Sequence, residues 1–279
     1  MTGKDTTFVI VGASLAGAKA AETLRQEGFD GRVILVGEET ERPYERPPLS
    51  KDYLRGEAGR DKVYVHDEKF YERQAIELQT GTRAVAVEAA SAEVVLEGGE
   101  RLHYDGLLLA TGAAPRRLPV PGADLDGVRY LRTVEESDGL RDAISAAGRV
   151  VVIGAGWIGS EVAASARQMG ADVAVVAPSR VPLEQVMGPE VGGVYRDLHA
   201  EHGVELHLGA GVESLVGSTA VAGARLTDGT SVEGDLVIVG VGVTPRLELA
   251  EAAGLALDNG IVVDDRLRTS VPEIGRAHV

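Results

Sequence analysis

The chain has 279 residues, 44% of them hydrophobic and 25% charged, and its formal net charge is −15. A chain of this length usually divides into two domains, because single hydrophobic cores stop growing beyond roughly 250–300 residues. The acidic balance argues against a general nucleic-acid-binding protein, which needs a basic surface to displace counterions. It also gives no help in docking onto an anionic membrane.

The chain contains no cysteine, which excludes disulfides, thiolate metal sites and a redox-active dithiol formed by these residues. His199 and His202 stand three positions apart, but no third ligand accompanies them, so no metal site is expected. The first residues carry no apolar signal core, and no apolar run reaches the ~20 residues of a membrane span. We therefore expect a cytoplasmic protein.

One local pattern occurs twice along the chain. Each copy consists of an apolar run, a glycine-rich turn, a helical stretch and a second apolar run, which together predict a βαβ unit. The first copy spans residues 7–36 and the second spans residues 149–176. The chain is therefore predicted to have an α/β fold with two Rossmann-like dinucleotide-binding domains.

The residues that follow each βαβ unit also match in order. Hairpin signals occur around Gly98-Gly99 and again around Asp228-Gly229. Each hairpin leads to an apolar strand that ends in a glycine turn, at residues 106–112 and 235–242. Two matched series of elements argue against a chance spacing of glycines.

The first glycine turn predicts an FAD site. A pyrophosphate must approach the backbone N–H groups at a helix N-terminus, and Cβ atoms would obstruct it, so glycine is favoured at Gly12 and Gly17. Ser14 stands where a middle glycine is usual and is small enough to be tolerated. Glu38 follows the second strand, where a carboxylate can accept hydrogen bonds from the ribose hydroxyls.

The second glycine turn has all three glycines but lacks the expected acid. Ala177 stands where an acidic residue would select the free 2′-hydroxyl of NAD. Ser179 and Arg180 follow and could accept a 2′-phosphate, whereas Glu184 or the backbone could serve NAD instead. The pattern slightly favours NADH and leaves NADPH open.

The segment PYERPPLSK at residues 43–51 resembles that of NAD(P)H-dependent ferredoxin and rubredoxin reductases. These include putidaredoxin reductase-like proteins and the reductase components of aromatic-ring dioxygenases, within the glutathione-reductase-like flavoproteins. The resemblance extends to about Pro272 and includes the segments 129–133, 154–161 and 240–245.

The resemblance implies a role for each matching position. Lys51 would lie at the isoalloxazine ring, and Glu161 would lie beside the nicotinamide within reach of Lys51, so that these two are the expected catalytic residues. The remaining expected FAD ligands are Gly12, Ser14, Leu15, Ala16, Gly17, Glu38, Arg46, Ala84, Thr111, Gly112 and Arg132. The remaining expected nicotinamide-dinucleotide ligands are Gly154, Gly156, Trp157, Ile158, Gly159 and Gly242.

The implied activity is hydride transfer from NADH or NADPH to FAD, followed by single-electron transfer to a ferredoxin or rubredoxin that feeds an oxygenase. Without a cysteine, electrons cannot leave through a disulfide of this chain. Such carriers are acidic, so a basic docking patch is expected. Its candidates are Arg42, Arg46, Arg55, Arg60 and Lys62, or else Arg116 and Arg117. The alternatives are an electron-transfer part of a nitrite-reductase-like or NAD(P)H oxidase system, and an FAD- and NAD-binding redox sensor resembling apoptosis-inducing factor.

The domain boundaries are expected at 1–115 and 245–279 for the FAD domain, with the NAD(P) domain inserted at 116–244. The family continues past Pro272 into a further strand and a C-terminal interface domain, which is absent from this chain. The ending EIGRAHV at 273–279 corresponds to one reading frame of a common DNA-sequencing adapter. We expect that the natural protein is longer and that this chain lacks the last central strand of its FAD domain and holds FAD poorly.

Overall fold

The computed structural model of the chain describes residues 3–277. The helices of these described residues are α1 (Leu15–Gln26), α2 (Phe70–Arg73), α3 (Val134–Ala146), α4 (Trp157–Gln168), α5 (Glu184–Glu201, kinked at Gly188) and α6 (Glu248–Ala252). Two short 3-10 turns occupy Pro47–Ser50 and Arg60–Lys62.

The strands alternate with these helices in chain order. They are β1 (Thr7–Val11), β2 (Arg32–Val36), β3 (Ile76–Gln79), β4 (Ala84–Glu88), β5 (Glu93–Leu96), β6 (Arg101–His103), β7 (Gly106–Leu109), β8 (Ala113–Pro115), β9 (Val128–Arg129), β10 (Arg149–Ile153), β11 (Asp172–Ala177), β12 (Glu205–Leu208), β13 (Val212–Gly217), β14 (Val221–Leu226), β15 (Ser231–Glu233), β16 (Leu236–Val239), β17 (Val243–Pro245), β18 (Leu257–Asp258), β19 (Gly260–Ile261) and β20 (Ile274–Arg276).

The residues form two compact units. The first unit contains residues 3–45, 63–113 and 245–277, and the second contains 46–62 and 114–244. The segment 46–62 thus belongs to the second unit, whereas the sequence boundaries assigned it to the first. Its hydrogen bonds to α3 and α4 explain this difference, as described below.

The first unit is built on a parallel sheet with the strand order β20-β7-β1-β2-β3. Its central strands are continuous apolar runs because both faces of the sheet are covered. Ile10 and Leu35 pack on the face that carries α1, while Val9 and Ile34 pack on the face that carries β4, β5 and β6. All four side chains are fully buried.

The expectation that the first unit lacks its last strand is wrong for the described residues. The strand β20 pairs in parallel with β7 at the edge of the sheet, with Ile274 opposite Leu107. Ile274 is completely buried among the apolar side chains of that sheet, so burial of one isoleucine and a parallel ladder of three residues stabilise the strand. The interpretation of residues 273–279 as a sequencing adapter also includes His278 and Val279, which lie outside the described residues.

The second unit repeats the architecture of the first. Its parallel sheet has the order β12-β11-β10-β16-β9, in which β10 takes the central place of β1. The antiparallel strands β13, β14 and β15 cover the face of Val151 and Val176, as β4–β6 do in the first unit. Both predicted hairpins are therefore confirmed, as is the α/β fold with two Rossmann-like sheets. Across residues 3–277, no helix is long and apolar enough to cross a membrane.

Candidate functional site

The first glycine turn lies at the carboxyl end of β1, which is placed between β7 and β2 in the sheet. Gly12 has φ +118°, and a Cβ there would lie 2.0 Å from the carbonyl oxygen of Ala110. A Cβ on Gly17 would lie 2.0 Å from the carbonyl oxygen of Gly12. Helix α1 then begins at Leu15, and within the described chain the Ser14 side chain makes no capping hydrogen bond. The N-terminal N–H groups of α1 therefore receive no hydrogen bond from the Ser14 side chain, which fits a helix end that binds a dinucleotide pyrophosphate.

Glu38 lies just beyond β2, also at the carboxyl ends of the parallel strands. Its side chain is 42% exposed, and Arg246 Nη1 lies 2.7 Å from Glu38 Oε1. Arg83 Nε lies 3.9 Å from the other carboxylate oxygen, and the predicted residue Ala84 begins β4 directly after it. Arg246 was not among the expected site residues, although it follows the glycine turn after β16 closely.

Thr111 and Gly112 lie beside the first glycine turn. The hydroxyl of Thr111 donates a hydrogen bond of 3.0 Å to the carbonyl oxygen of Arg246, and the carbonyl oxygen of Gly112 accepts one of 3.0 Å from the N–H of Arg246. Leu15 and Ala16 form the first turn of α1. The structure thus brings these predicted residues together at the carboxyl ends of the strands of the first sheet.

The second glycine turn repeats this geometry at the end of β10. Gly154 has φ +104°, and its Cβ would lie 2.4 Å from the carbonyl oxygen of Gly240. A Cβ on Gly159 would lie 2.0 Å from the carbonyl oxygen of Gly154. Gly156 differs, since a Cβ there would have no neighbour within 4 Å in the part of the chain that the structure describes. Gly154 and Gly159 are thus required by packing, whereas Gly156 leaves open the space through which a pyrophosphate would approach α4.

Trp157 and Ile158 form the start of α4. Trp157 is 45% exposed and meets Tyr195 edge-on at 6.5 Å between ring centroids. Both rings line a largely apolar cavity of about 660 Å³ between α4 and α5, which Glu161 also borders. Gly242, in the turn after β16, has φ +101° and accepts a hydrogen bond from the Arg116 N–H.

Lys51 and Glu161 form an ion pair within the second unit. Lys51 Nζ lies 2.7 Å from Glu161 Oε2, and the hydroxyl of Ser50 donates to the same oxygen at 2.5 Å. Ser50 is buried, while the Lys51 side chain is 42% exposed. Two donors therefore converge on one carboxylate oxygen and fix its orientation. Ser50 lies in the segment 43–51 that carries the family resemblance, but it was not among the expected site residues.

Two fully buried serines hold the turn that carries Lys51. The hydroxyl of Ser137 on α3 donates to the carbonyl oxygen of Leu49 at 2.8 Å, and that of Ser165 on α4 donates to the carbonyl oxygen of Ser50 at 2.7 Å. These hydrogen bonds attach the segment 46–62 to the second unit.

A second set of contacts supports the same segment. The guanidinium of Arg46 donates to the carbonyl oxygen of Arg132 at 2.5 Å, so the structure brings these two predicted residues together. The hydroxyl of Tyr53 donates to Asp138 at 2.7 Å. Burial, together with this hydrogen bond, raises the pKa of Tyr53 to about 12.

Comparison with known proteins agrees with this architecture. The family model described as pyridine nucleotide-disulphide oxidoreductase matches residues 6–274. Rhodocoxin reductase of Rhodococcus erythropolis is 42% identical over 264 residues, which cover 94% of this chain and 62% of that protein. Putidaredoxin reductase of Pseudomonas putida is 42% identical over 272 residues, covering 95% of this chain and 64% of that protein.

Solved structures give the same result. The ferredoxin reductase from Rhodopseudomonas palustris superposes with a TM-score of 0.95 at 41% identity, over 98% of this chain and 67% of that one. The chain thus spans less than two thirds of the length of the two relatives named above. The resemblance to ferredoxin and rubredoxin reductases is confirmed, and relatives of this kind use FAD and NAD(H). The match of the family model to residues 6–274, together with the two glycine turns, shows that the chain belongs to the pyridine nucleotide-disulphide oxidoreductase family.

Proposed function

We propose that the chain is the cofactor-binding part of a flavoprotein that transfers hydride from NAD(P)H to FAD and then single electrons to a ferredoxin or rubredoxin serving an oxygenase. The observation that carries this proposal is the pair of glycine turns at equivalent places in two sheets of the same strand order. We place the protein in the cytoplasm, where reduced nicotinamide dinucleotides are available.

The two units divide the cofactors in this proposal. The first unit, with Gly12, Ser14, Glu38 and Thr111, would hold FAD, and the second, with Gly154, Gly156 and Gly159, would hold the nicotinamide dinucleotide. FAD accepts a hydride and releases electrons one at a time, so it would couple the two-electron donor to a one-electron carrier. The chain supplies no thiol, and the electrons would therefore leave without a disulfide step on these residues.

Lys51 would place a positive charge where negative charge develops during hydride transfer. Glu161 would hold that ammonium group at 2.7 Å, and Ser50 would keep the carboxylate oxygen aimed at it. The turn PPLS restricts the backbone before Lys51, because Pro47 and Pro48 both have fixed φ angles.

Contacts of the basic residues favour one of the two candidate carrier-docking patches. Arg55 is paired with Asp52 and Glu57, and Arg60 is paired with Asp138 and Glu135. Lys62 Nζ lies 3.5 Å from Asp61 Oδ2. These carboxylates therefore largely neutralise the basic patch around residues 55–62.

Arg116 and Arg117, in contrast, have no acidic partner among residues 3–277. Arg116 donates to the carbonyl oxygen of Val243, and Arg117 lies over the ring of Tyr130 at 4.3 Å. We therefore propose Arg116 and Arg117 as the contact for an acidic carrier.

The test is anaerobic bleaching of the visible flavin band, followed by reduction of an added ferredoxin or rubredoxin. We expect NADH or NADPH to bleach the FAD-reconstituted chain, and Lys51→Gln to slow bleaching by about tenfold or more. Lys62→Gln is the matched control and should leave the rate unchanged, since Lys62 is a lysine of the same segment that is 75% exposed. A yellow protein that neither nucleotide reduces would contradict the proposal and favour the redox-sensor alternative.

A further inference from the structure

The cavity between α4 and α5 extends well beyond the second glycine turn. All of its lining residues belong to the second unit, and they include both Trp157 and Gln168, the first and last residues of the 12-residue helix α4. A helix of that length is about 18 Å long. A dinucleotide pyrophosphate binds at the N-terminal end of such a helix, so the part of the cavity near Gln168 lies outside the dinucleotide site. The volume of about 660 Å³ falls within the roughly 300–1,000 Å³ of small-molecule sites.

The walls of the cavity are mainly apolar and partly aromatic. The rings of Trp157 and Tyr195 are nearly perpendicular, at 89° and 6.5 Å between centroids. A planar aromatic molecule can stack on one of these rings and meet the other edge-on, which are the arrangements that aromatic groups prefer. Leu198, which is 49% exposed, and the half-buried Ala164 add aliphatic surface. The walls therefore favour an aromatic occupant.

The charged groups that border the cavity are already compensated. Glu161 is paired with Lys51. Arg167 lies 3.5 Å from Asp172, and its guanidinium also donates hydrogen bonds to two backbone carbonyl oxygens. A charged molecule would thus find no free opposite charge on these side chains, and a neutral one is favoured.

His199 is a buried polar side chain in the wall of the cavity. It is only 8% exposed, and its ring makes no hydrogen bond or ion pair with any of residues 3–277. Burial, with a smaller effect of His202, lowers the pKa of His199. The ring is therefore neutral at pH 7 and presents one donor and one acceptor nitrogen. Buried polar groups are rarely left without a partner, and a hydroxyl group in the cavity would supply one.

We propose that the cavity between α4 and α5 binds a neutral aromatic molecule that carries one hydroxyl group, a phenol or an aryl alcohol. The aromatic part would pack against Trp157 and Tyr195, and the hydroxyl group would form a hydrogen bond with His199. This site goes beyond the proposed function, because it requires neither the flavin nor the dinucleotide.

The test is a titration of the full chain with 2-naphthol at pH 7, where this phenol is neutral. The single tryptophan of the chain is Trp157, so quenching of tryptophan fluorescence reports occupancy of the cavity, and titration calorimetry gives the affinity. His199→Leu should weaken the binding of 2-naphthol by about tenfold, since one hydrogen bond contributes about that much. Naphthalene, which has the same rings and no hydroxyl group, should bind the variant at least as tightly as the unmodified chain.

Two further variants complete the design. His103→Leu is the matched control, because His103 is an exposed histidine of β6 in the first unit, and it should alter neither affinity. Ala164→Phe places a ring in the cavity from α4 and should abolish the binding of both molecules, while the midpoint of urea unfolding is kept.

Failure of the unmodified chain to bind 2-naphthol would overturn the proposal, as would an affinity that His199→Leu leaves unchanged. Displacement of 2-naphthol by NADH, together with no effect of His199→Leu, would assign the cavity to the nicotinamide site instead. A chain that binds no 2-naphthol but forms a dimer that Ala164→Phe dissociates would show that a second copy of the chain fills the cavity. None of these measurements needs flavin, so their outcome is independent of the proposed reductase activity.

Discussion

The glycines of the second turn permit a separation of folding from dinucleotide binding. Gly159→Ala places a Cβ 2.0 Å from the carbonyl oxygen of Gly154, which is more than 1 Å inside an ordinary contact. The Cβ is attached directly to the backbone of α4, and the oxygen belongs to the backbone of the glycine turn. Overpacking of this kind costs typically about 1–3 kcal/mol, and we expect the upper end because no flexible side chain can yield. Gly156→Ala instead places its Cβ in space that is empty to 4 Å in the described structure.

The magnitude for Gly156→Ala comes from two small opposing effects. Alanine restricts the unfolded chain, which stabilises the fold by about 0.4–1 kcal/mol, because φ at this position is −77° and suits alanine. Alanine is also a poorer N-cap than glycine, by a similar few tenths up to about 1 kcal/mol. The net change in the free energy of unfolding should lie near zero, while the new methyl group obstructs the approach of a pyrophosphate to α4.

Urea unfolding followed by tryptophan fluorescence gives the stability of the second unit directly, since the single tryptophan of the chain is Trp157 on α4. Calorimetry with 5′-AMP and with the intact dinucleotides gives the binding. We expect Gly159→Ala to lower the unfolding midpoint and Gly156→Ala to keep it but lose affinity for the dinucleotides. The reasoning would be refuted if Gly156→Ala bound dinucleotides normally, or if Gly159→Ala were as stable as the unmodified chain.

Three further outcomes are expected. Ser50→Ala should slow flavin bleaching severalfold by releasing one donor from Glu161, while Ser50→Thr, which keeps the hydroxyl, should restore the rate; equal rates in both variants would exclude a positioning role. Glu38→Ala should weaken FAD binding, measured by flavin fluorescence on dilution, and unaltered retention would contradict its assignment to the ribose. Because the pKa of Tyr53 is raised from 10.0 to about 12, the stability from its protonated form is complete below about pH 10 and is lost as pH rises toward 12. Tyr53→Phe should flatten this alkaline loss in the midpoint of urea unfolding, and an unchanged slope would show that Tyr53 does not cause it.

Local signals explain which features the sequence could predict. Gly12 and Gly154 follow apolar strands and precede helices, so a window of some thirty residues is enough to place both turns. The attachment of residues 46–62 to the second unit could not be predicted in this way. It depends on hydroxyl groups of Ser137 and Ser165, which lie about 90 and 115 positions from the carbonyls they contact, and such isolated polar contacts have no periodicity.

The edge strand β20 is a second feature that the local sequence pattern did not predict. A departure from the family pattern near residue 273 suggested a missing strand, yet Ile274 is completely buried and three residues pair with β7.

The discontinuous path of the first unit has a consequence for biosynthesis. The ribosome releases the chain from its N-terminus, and β7 must wait for β20, which is made some 165 residues later. The second unit has all of its described residues once residue 244 has emerged, because its early segment 46–62 is already present. Domains generally fold as units during synthesis, so the inserted unit should become protease-resistant on the ribosome first, and the unit that begins the chain should mature last.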